Sequence, residues 1–262
     1  MQARAITEID PTASSAFVLG TRVDVLDYDR ASRRIMNWAR QQQARFICAA
    51  NVHVVMEGHD ARAYQEMVNG ADMVTSDGMP LVWMLRAQGF DASRVYGPDL
   101  MRILLEVCER EKMPVGLYGG SPAVLDRLLA SIQREHPNLP VAYACSPPFR
   151  ELSQVEDAQI ITDIQESGAR MLFVGLGCPR QERWITRHLS TIHVPMLGVG
   201  AAFDFIAGTK RTAPALLQRM GLEWLFRLMS EPGRLWRRYV VHNPRFLVLA
   251  GLQLTGFKHV IS

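Results

Sequence analysis

Asp77 lies in one of four clusters whose residue types and places could act on a substrate. It stands in Thr75-Ser76-Asp77-Gly78-Met79-Pro80, after an apolar run and ahead of a helical pattern. A carboxylate at such a place can take a proton as a general base, bind a ribose, or cap the helix that Pro80 opens. Asn51 closes a second apolar run, where it can hold a sugar hydroxyl or cap the following helix. Gly116-Leu117-Tyr118-Gly119-Gly120-Ser121-Pro122 passes from a strand pattern to a helix start. The N–H groups at Gly119 and Gly120 suit a phosphate there, or the turn is only a tight connection. Arg180, Gln181 and Glu182 crowd one helical turn, a density that suits ligand contact better than core packing, with a solvated helix start as the alternative. Gly175-Leu176-Gly177 and Gly198-Val199-Gly200 each give half of a dinucleotide fingerprint, but Arg180 and Phe203 occupy the third-glycine positions. His53 and His193 have no second ligand at metal spacing and are expected to be structural or solvated.

These residues need a frame that brings strand ends together. Strand patterns fall at Thr21–Leu26, Arg45–Ala49, Asp72–Ser76, Val115–Tyr118, Val141–Cys145, Met171–Gly175 and Val194–Val199. Helical patterns lie between them at Asp29–Gln42, Asp99–Lys112, Ala123–Glu135 and Gln181–Leu189, with Asp29 and Ser121 as expected N-caps. This alternation predicts an α/β fold, Rossmann-like, with a mostly parallel sheet and helices on both faces. Ligands of such sheets sit at the carboxyl ends of the strands, which raises the weight of all four clusters: Asn51, Asp77, the Gly119-Gly120 turn, and the Gly175–Glu182 stretch with Gly198-Val199-Gly200. From Ala213 the pattern changes. Ala213–Met229 reads as one amphipathic helix, Glu231-Pro232-Gly233 breaks it, and Arg234–Val241 resumes. The division expected is a catalytic α/β domain over 1–212 and a basic helical appendage over 213–262.

Composition narrows the class. The chain has 262 residues, 48% hydrophobic, with four cysteines, which argues against a disordered chain or a disulfide scaffold. Cys48 and Cys108 sit inside apolar runs and are expected to be buried thiols in a reduced cytoplasmic setting. Glu8, Asp10 and Pro11 interrupt the N-terminus where a signal peptide needs apolar residues. Phe246–Phe257 is too short to span a bilayer, but long enough to lie on one or to pack in a core. The net charge of +3 hides an asymmetry: nine basic and two acidic residues follow Thr209. A basic tail on an acidic body implies an anionic partner, whether phosphate, nucleic acid or membrane.

Taken in order, the motifs resemble the WecG/TagA/CpsF family of bacterial glycosyltransferases. The matching series begins with Asn51, Asp77-Gly78, Arg94-Val95-x-Gly97-x-Asp99-Leu100 and Leu117-Tyr118-Gly119-Gly120. It continues through Gly175-Leu176-Gly177-x-Pro179-x-Gln181-Glu182-x-Trp184 and Gly198-Val199-Gly200-x-x-Phe203-Asp204. Gly221-Leu222-Glu223-Trp224-Leu225-x-Arg227-Leu228, Glu231-Pro232-x-Arg234 and Arg237-Arg238-Tyr239 close it.

The resemblance implies an inverting hexosyltransferase that needs neither metal nor cofactor. It would use a UDP-sugar donor and an undecaprenyl-diphosphate-linked acceptor, peripherally bound at the cytoplasmic face of the membrane, in surface- or exopolysaccharide synthesis. Asp77 would be the general base. Arg227, Arg234 and Arg237 would neutralise the leaving diphosphate, and Asn51, Arg94, Asp99, Gly119, Gly120, Gln181 and Glu182 would bind substrate. Homo-oligomer formation is compatible with it, and nucleic acid is not an expected partner. Two departures bear on the donor. Ala49 replaces the family's usual Thr, and Thr212 replaces the usual Arg before Ala213-Pro214, with Arg211 one place earlier. They fit a donor of glucose type as well as N-acetylmannosamine, as in the xanthan-type exopolysaccharide branch, with the balance toward glucose. The rival readings are an NAD(P)-dependent oxidoreductase, lacking its full fingerprint, and a nucleic-acid-binding protein using the basic tail.

Overall fold

The computed structural model of the chain describes residues 14–256. It opens with β1 (Ser15–Val18) and β2 (Thr21–Asp24), an antiparallel hairpin. Leu19 and Gly20 form its turn, with φ of 49° and 82°, the left-handed backbone that two-residue hairpins favour. Next come α1 (Tyr28–Arg40), β3 (Arg45–Ala50), α2 (Val52–Asp60), α3 (Arg62–Asn69) and β4 (Met73–Ser76). α4 (Met79–Ala87), α5 (Gly97–Arg110), β5 (Val115–Gly119), α6 (Pro122–Glu135) and β6 (Val141–Cys145) follow. The body ends with α7 (Gln154–Glu166), β7 (Met171–Gly175), α8 (Arg180–His188), β8 (Pro195–Gly198) and α9 (Ala202–Ile206). Three helices close the described chain: α10 (Ala215–Arg219), α11 (Glu223–Ser230) and α12 (Pro232–Leu254).

Strands β3 to β8 form one parallel sheet in the order β4-β3-β8-β7-β5-β6. Alternation along each strand divides the core in two. Phe46, Cys48, Ala50, Leu172, Val174 and Met196 face a layer built from α2, α3, α4, α7, α8 and the end of α12. Ile47, Met73, Leu117, Met171, Phe173 and Leu197 face α1, α5, α6 and α9. Burial on both sides is why these strands read as continuous apolar runs. The α/β expectation holds, and Cys48 and Cys108 are buried free thiols.

The structure corrects four local readings. The first strand stops at Asp24 and pairs only with β1, outside the main sheet. The Asp24 carboxylate nevertheless guards that sheet, accepting the N–H of Val74 on edge strand β4 at 2.8 Å. The cap of α1 is Asp27, whose Oδ1 accepts from Arg30 N at 2.7 Å, leaving Asp29 in the first turn. The helix expected over Ala213–Met229 is two helices parted at Gly221, where φ is +67°. A side chain there would be strained and would also run into the Trp83 indole. Apolar periodicity passes unbroken across such a residue and does not reveal the turn.

The last helix is longer than expected and runs through Pro244. Its second half is docked on the body. Phe246 and Ala250 are buried in the core, and Arg245 forks onto Asp60 at 2.6 and 2.9 Å. Gln253 accepts from Leu19 N at 2.8 Å and donates to Phe17 O at 2.7 Å. The outer residues Leu247 and Val248 stay exposed.

Candidate active site

The carboxyl ends of β3 and β4, adjacent at one side of the sheet, carry Asn51 and Asp77. Asn51 fills two roles. Its Oδ1 caps α2, accepting from His53 N at 3.0 Å and Val54 N at 3.4 Å. Its Nδ2 donates to Asp77 Oδ2 at 3.3 Å. The other oxygen, Asp77 Oδ1, accepts the N–H of Gly97 at 2.6 Å. Segment 93–97 is laid against β4 to deliver that N–H: Val95 N donates to Ser76 O, Thr75 Oγ1 to Val95 O, and Ser76 Oγ to Ser93 O. Asp77 does not cap α4, whose N-cap is Gly78 without a side-chain bond. Its carboxylate is held by two donors, Asn51 Nδ2 and the N–H of Gly97.

Burial pushes the Asp77 carboxyl above the usual aspartate range, against the opposing pull of the Arg94 guanidinium and the Gly97 N–H. A carboxylate whose basicity is raised in this way is a stronger proton acceptor. It opens on a cleft of about 330 Å³ between the sheet end and the appendage, lined by Asn51, Asp77, Trp83, Arg94, Glu223, Trp224, Arg227 and Tyr239 among others. Arg227 reaches this cleft from α11, its guanidinium 5.6 Å from the Phe205 ring centre. Its Nε is buried without a hydrogen-bond partner in the protein. A buried, charged donor in that condition has room for one more acceptor.

All three nitrogens of the Arg94 guanidinium bond protein: Nε to Asp77 O at 2.6 Å, Nη1 to Gln218 Oε1 at 3.1 Å, Nη2 to Glu223 Oε2 at 2.6 Å. Tyr96 adds its hydroxyl to Glu223 Oε1 at 2.9 Å. Arg94 thus ties α10 and α11 to the backbone of Asp77.

Asp99, Gly119, Gly120, Gln181, Glu182 and Arg237 are outside the lining of this cleft. Asp99 is on the first turn of α5, paired with Arg102 at 3.3 Å and accepting from Tyr28 Oη at 3.3 Å. Gly119 and Gly120 end β5, four strands from β4, about 19 Å at ordinary strand spacing. Gln181 and Glu182 are buried. Gln181 Oε1 accepts the N–H of both Gly177 and Gly200, at 3.1 and 3.0 Å, so those amides in the two half-fingerprints are bonded by protein. Arg237 is exposed beside the Trp236 ring. Arg234 lies in the first turn of α12, and its side chain lies outside the described residues.

Glu223, Trp224 and Tyr239 stood in the quoted motifs without an assigned contact, and the density of the Gly221–Trp224 block was the signal for them. Trp83 and His242 carried no sequence signal. Among the described residues, one group of three side chains has ligand atoms close enough for a metal ion: His53, Glu57 and His242. His242 is brought beside His53 by the docking of α12, a proximity that spacing along the chain does not show.

The α/β fold thus carries a carboxylate, Asp77, and an arginine with a buried, unbonded Nε, Arg227, in one cleft at the strand ends. The chain belongs to the WecG/TagA/CpsF family of glycosyltransferases, which it matches over residues 16–259. It is 31% identical over 201 residues to the N-acetylglucosaminyldiphosphoundecaprenol N-acetyl-beta-D-mannosaminyltransferase of Bacillus spizizenii, covering 76% of each chain. It is 28% identical over 195 residues to the protein of the same name from Staphylococcus aureus strain MW2, covering 74% of this chain and 73% of that one.

Proposed function

We propose that this glycosyltransferase moves a hexose from a UDP-sugar to a hydroxyl of an undecaprenyl-diphosphate-linked saccharide, with inversion. The observation that carries the reading is the convergence of Asp77 and the unpaired Nε of Arg227 on one cleft. The acceptor oxygen attacks the anomeric carbon as its proton passes to Asp77. The bond from that carbon to the β-phosphate oxygen breaks, and UDP departs with the electron pair. Arg227 stabilises the charge gathering on the diphosphate, the work a divalent ion does in other transferases. The names of the relatives put N-acetylmannosamine ahead of glucose as the donor sugar and N-acetylglucosamine-diphosphoundecaprenol first among acceptors.

Among the described residues, no helix is long and apolar enough to cross a membrane. Leu216, Leu225, Met229, Trp236, Val240 and Val241 are exposed on α10, α11 and α12, and Met220 just after α10 is exposed too. Together with Arg219 and Arg237, also exposed, they support peripheral binding to an anionic bilayer, where the lipid-linked acceptor resides.

Purified protein incubated with UDP-N-acetylmannosamine or UDP-glucose and synthetic lipid-diphosphate acceptors should release UDP and lengthen the acceptor by one sugar. Release from neither donor with any such acceptor overturns the proposal.

A further inference from the structure

We propose that His53, Glu57 and His242 bind a divalent transition-metal ion, zinc first, and that this ion clamps α12 to α2. His53 and Glu57 lie one turn apart on the same face of α2, His53 Nδ1 standing 3.8 Å from Glu57 Oε1. His242 comes from α12, its ring centre 5.5 Å from that of His53 and the planes tilted by 58°. One ligand atom from each residue lies within 4.8 Å of the others. Bonds to zinc of about 2.0–2.1 Å set tetrahedral ligand atoms roughly 3.4 Å apart. Side-chain rotation closes the difference.

The donor set selects the ion. Two imidazoles and a carboxylate suit zinc and its neighbours, whereas calcium and magnesium prefer oxygen. His242 Nδ1 is buried without a hydrogen-bond partner, a cost that coordination removes. His53 and His242 also line the cleft, while Glu57 is outside its lining. Three protein ligands leave a further coordination position, as in open zinc sites. The ion would join segments far apart in the chain, so its binding free energy adds directly to the docking of α12. The transfer step proposed above does not pass through it, and the test reads metal rather than turnover.

The full chain, stripped with a chelator, is titrated with zinc against a chromogenic chelator, and its heat unfolding is followed with and without the metal. The expected result is one equivalent bound and a raised unfolding midpoint, with no response to magnesium. His242→Ala and Glu57→Gln should each weaken binding by more than about tenfold, the floor for losing even an outer-shell partner, and abolish the midpoint shift. Glu57→Gln keeps the size of the side chain and carries the test if His242→Ala does not fold. Less than one equivalent bound, or zinc held equally well by the folded variants, overturns the proposal.

Discussion

Arg94 and Glu223 meet at 2.6 Å, and the same guanidinium donates through Nε to the backbone carbonyl of Asp77. One side chain therefore joins α11 to the candidate base. The pair is mostly enclosed, with side-chain exposures of 15% and 14%, so its loss costs more than that of a surface ion pair. Glu223→Gln should lower the unfolding midpoint by a few degrees and slow transfer. A double-mutant cycle with Arg94→Ala should give a coupling of about 1–3 kcal/mol. Additive effects would separate the two residues.

Asp77→Asn should lower the transfer rate by roughly a hundred- to ten-thousand-fold, the usual range for a removed general base. UDP binding, measured by calorimetry, should stay near normal. Turnover retained in this variant would remove Asp77 from the base role.

The pH profile follows from the raised Asp77 carboxyl. Transfer needs the carboxylate, so kcat/KM should fall as pH drops through a value above the ordinary aspartate one. Stability runs in the opposite sense. A folded-state value raised above the unfolded one favours the folded protein fully below the unfolded value, and that contribution is lost as pH rises through the folded value. An acid limb no higher than that of a free aspartate would contradict the desolvated setting.

Arg227→Ala should weaken UDP binding by about 1.5–3 kcal/mol, the worth of a hydrogen bond to a charged group, or roughly ten- to a hundredfold in Kd. Arg227→Lys should recover only part of this, because an ammonium cannot reproduce the guanidinium fork. Unchanged UDP affinity in both would place the diphosphate elsewhere.

Gly221→Ala and Gly208→Ala make a controlled pair. Both glycines have positive φ, +67° and +66°, so both substitutions cost about 1 kcal/mol or more in backbone strain. Only at Gly221 does the added carbon also meet the Trp83 indole, whereas Gly208 faces open space. The Gly221 variant should show the larger drop in unfolding midpoint, with lost activity, since α11 carries both Glu223 and Arg227. Equal drops would mean that the Trp83 contact yields freely.

The sequence by itself determined six of the strands, that they lie in a doubly covered parallel sheet, and that Asn51 and Asp77 stand where strands end, but not that the Thr21 strand pairs outside that sheet. Those properties are written in short stretches of chain, as apolar runs alternating with helical patterns. Tertiary structure alone decided which strand ends share a cleft. β4 and β3 are adjacent, so Asn51 touches Asp77, whereas the crossover to β5 carries Gly119 and Gly120 four strands away. It decided as well that Gln181 turns inward to bind two loop amides, that Arg94 spends its donors on Glu223, Gln218 and the backbone of Asp77, and that His242 arrives beside His53. Each of these depends on strand order or on helix docking, relationships between distant segments to which composition and periodicity are blind.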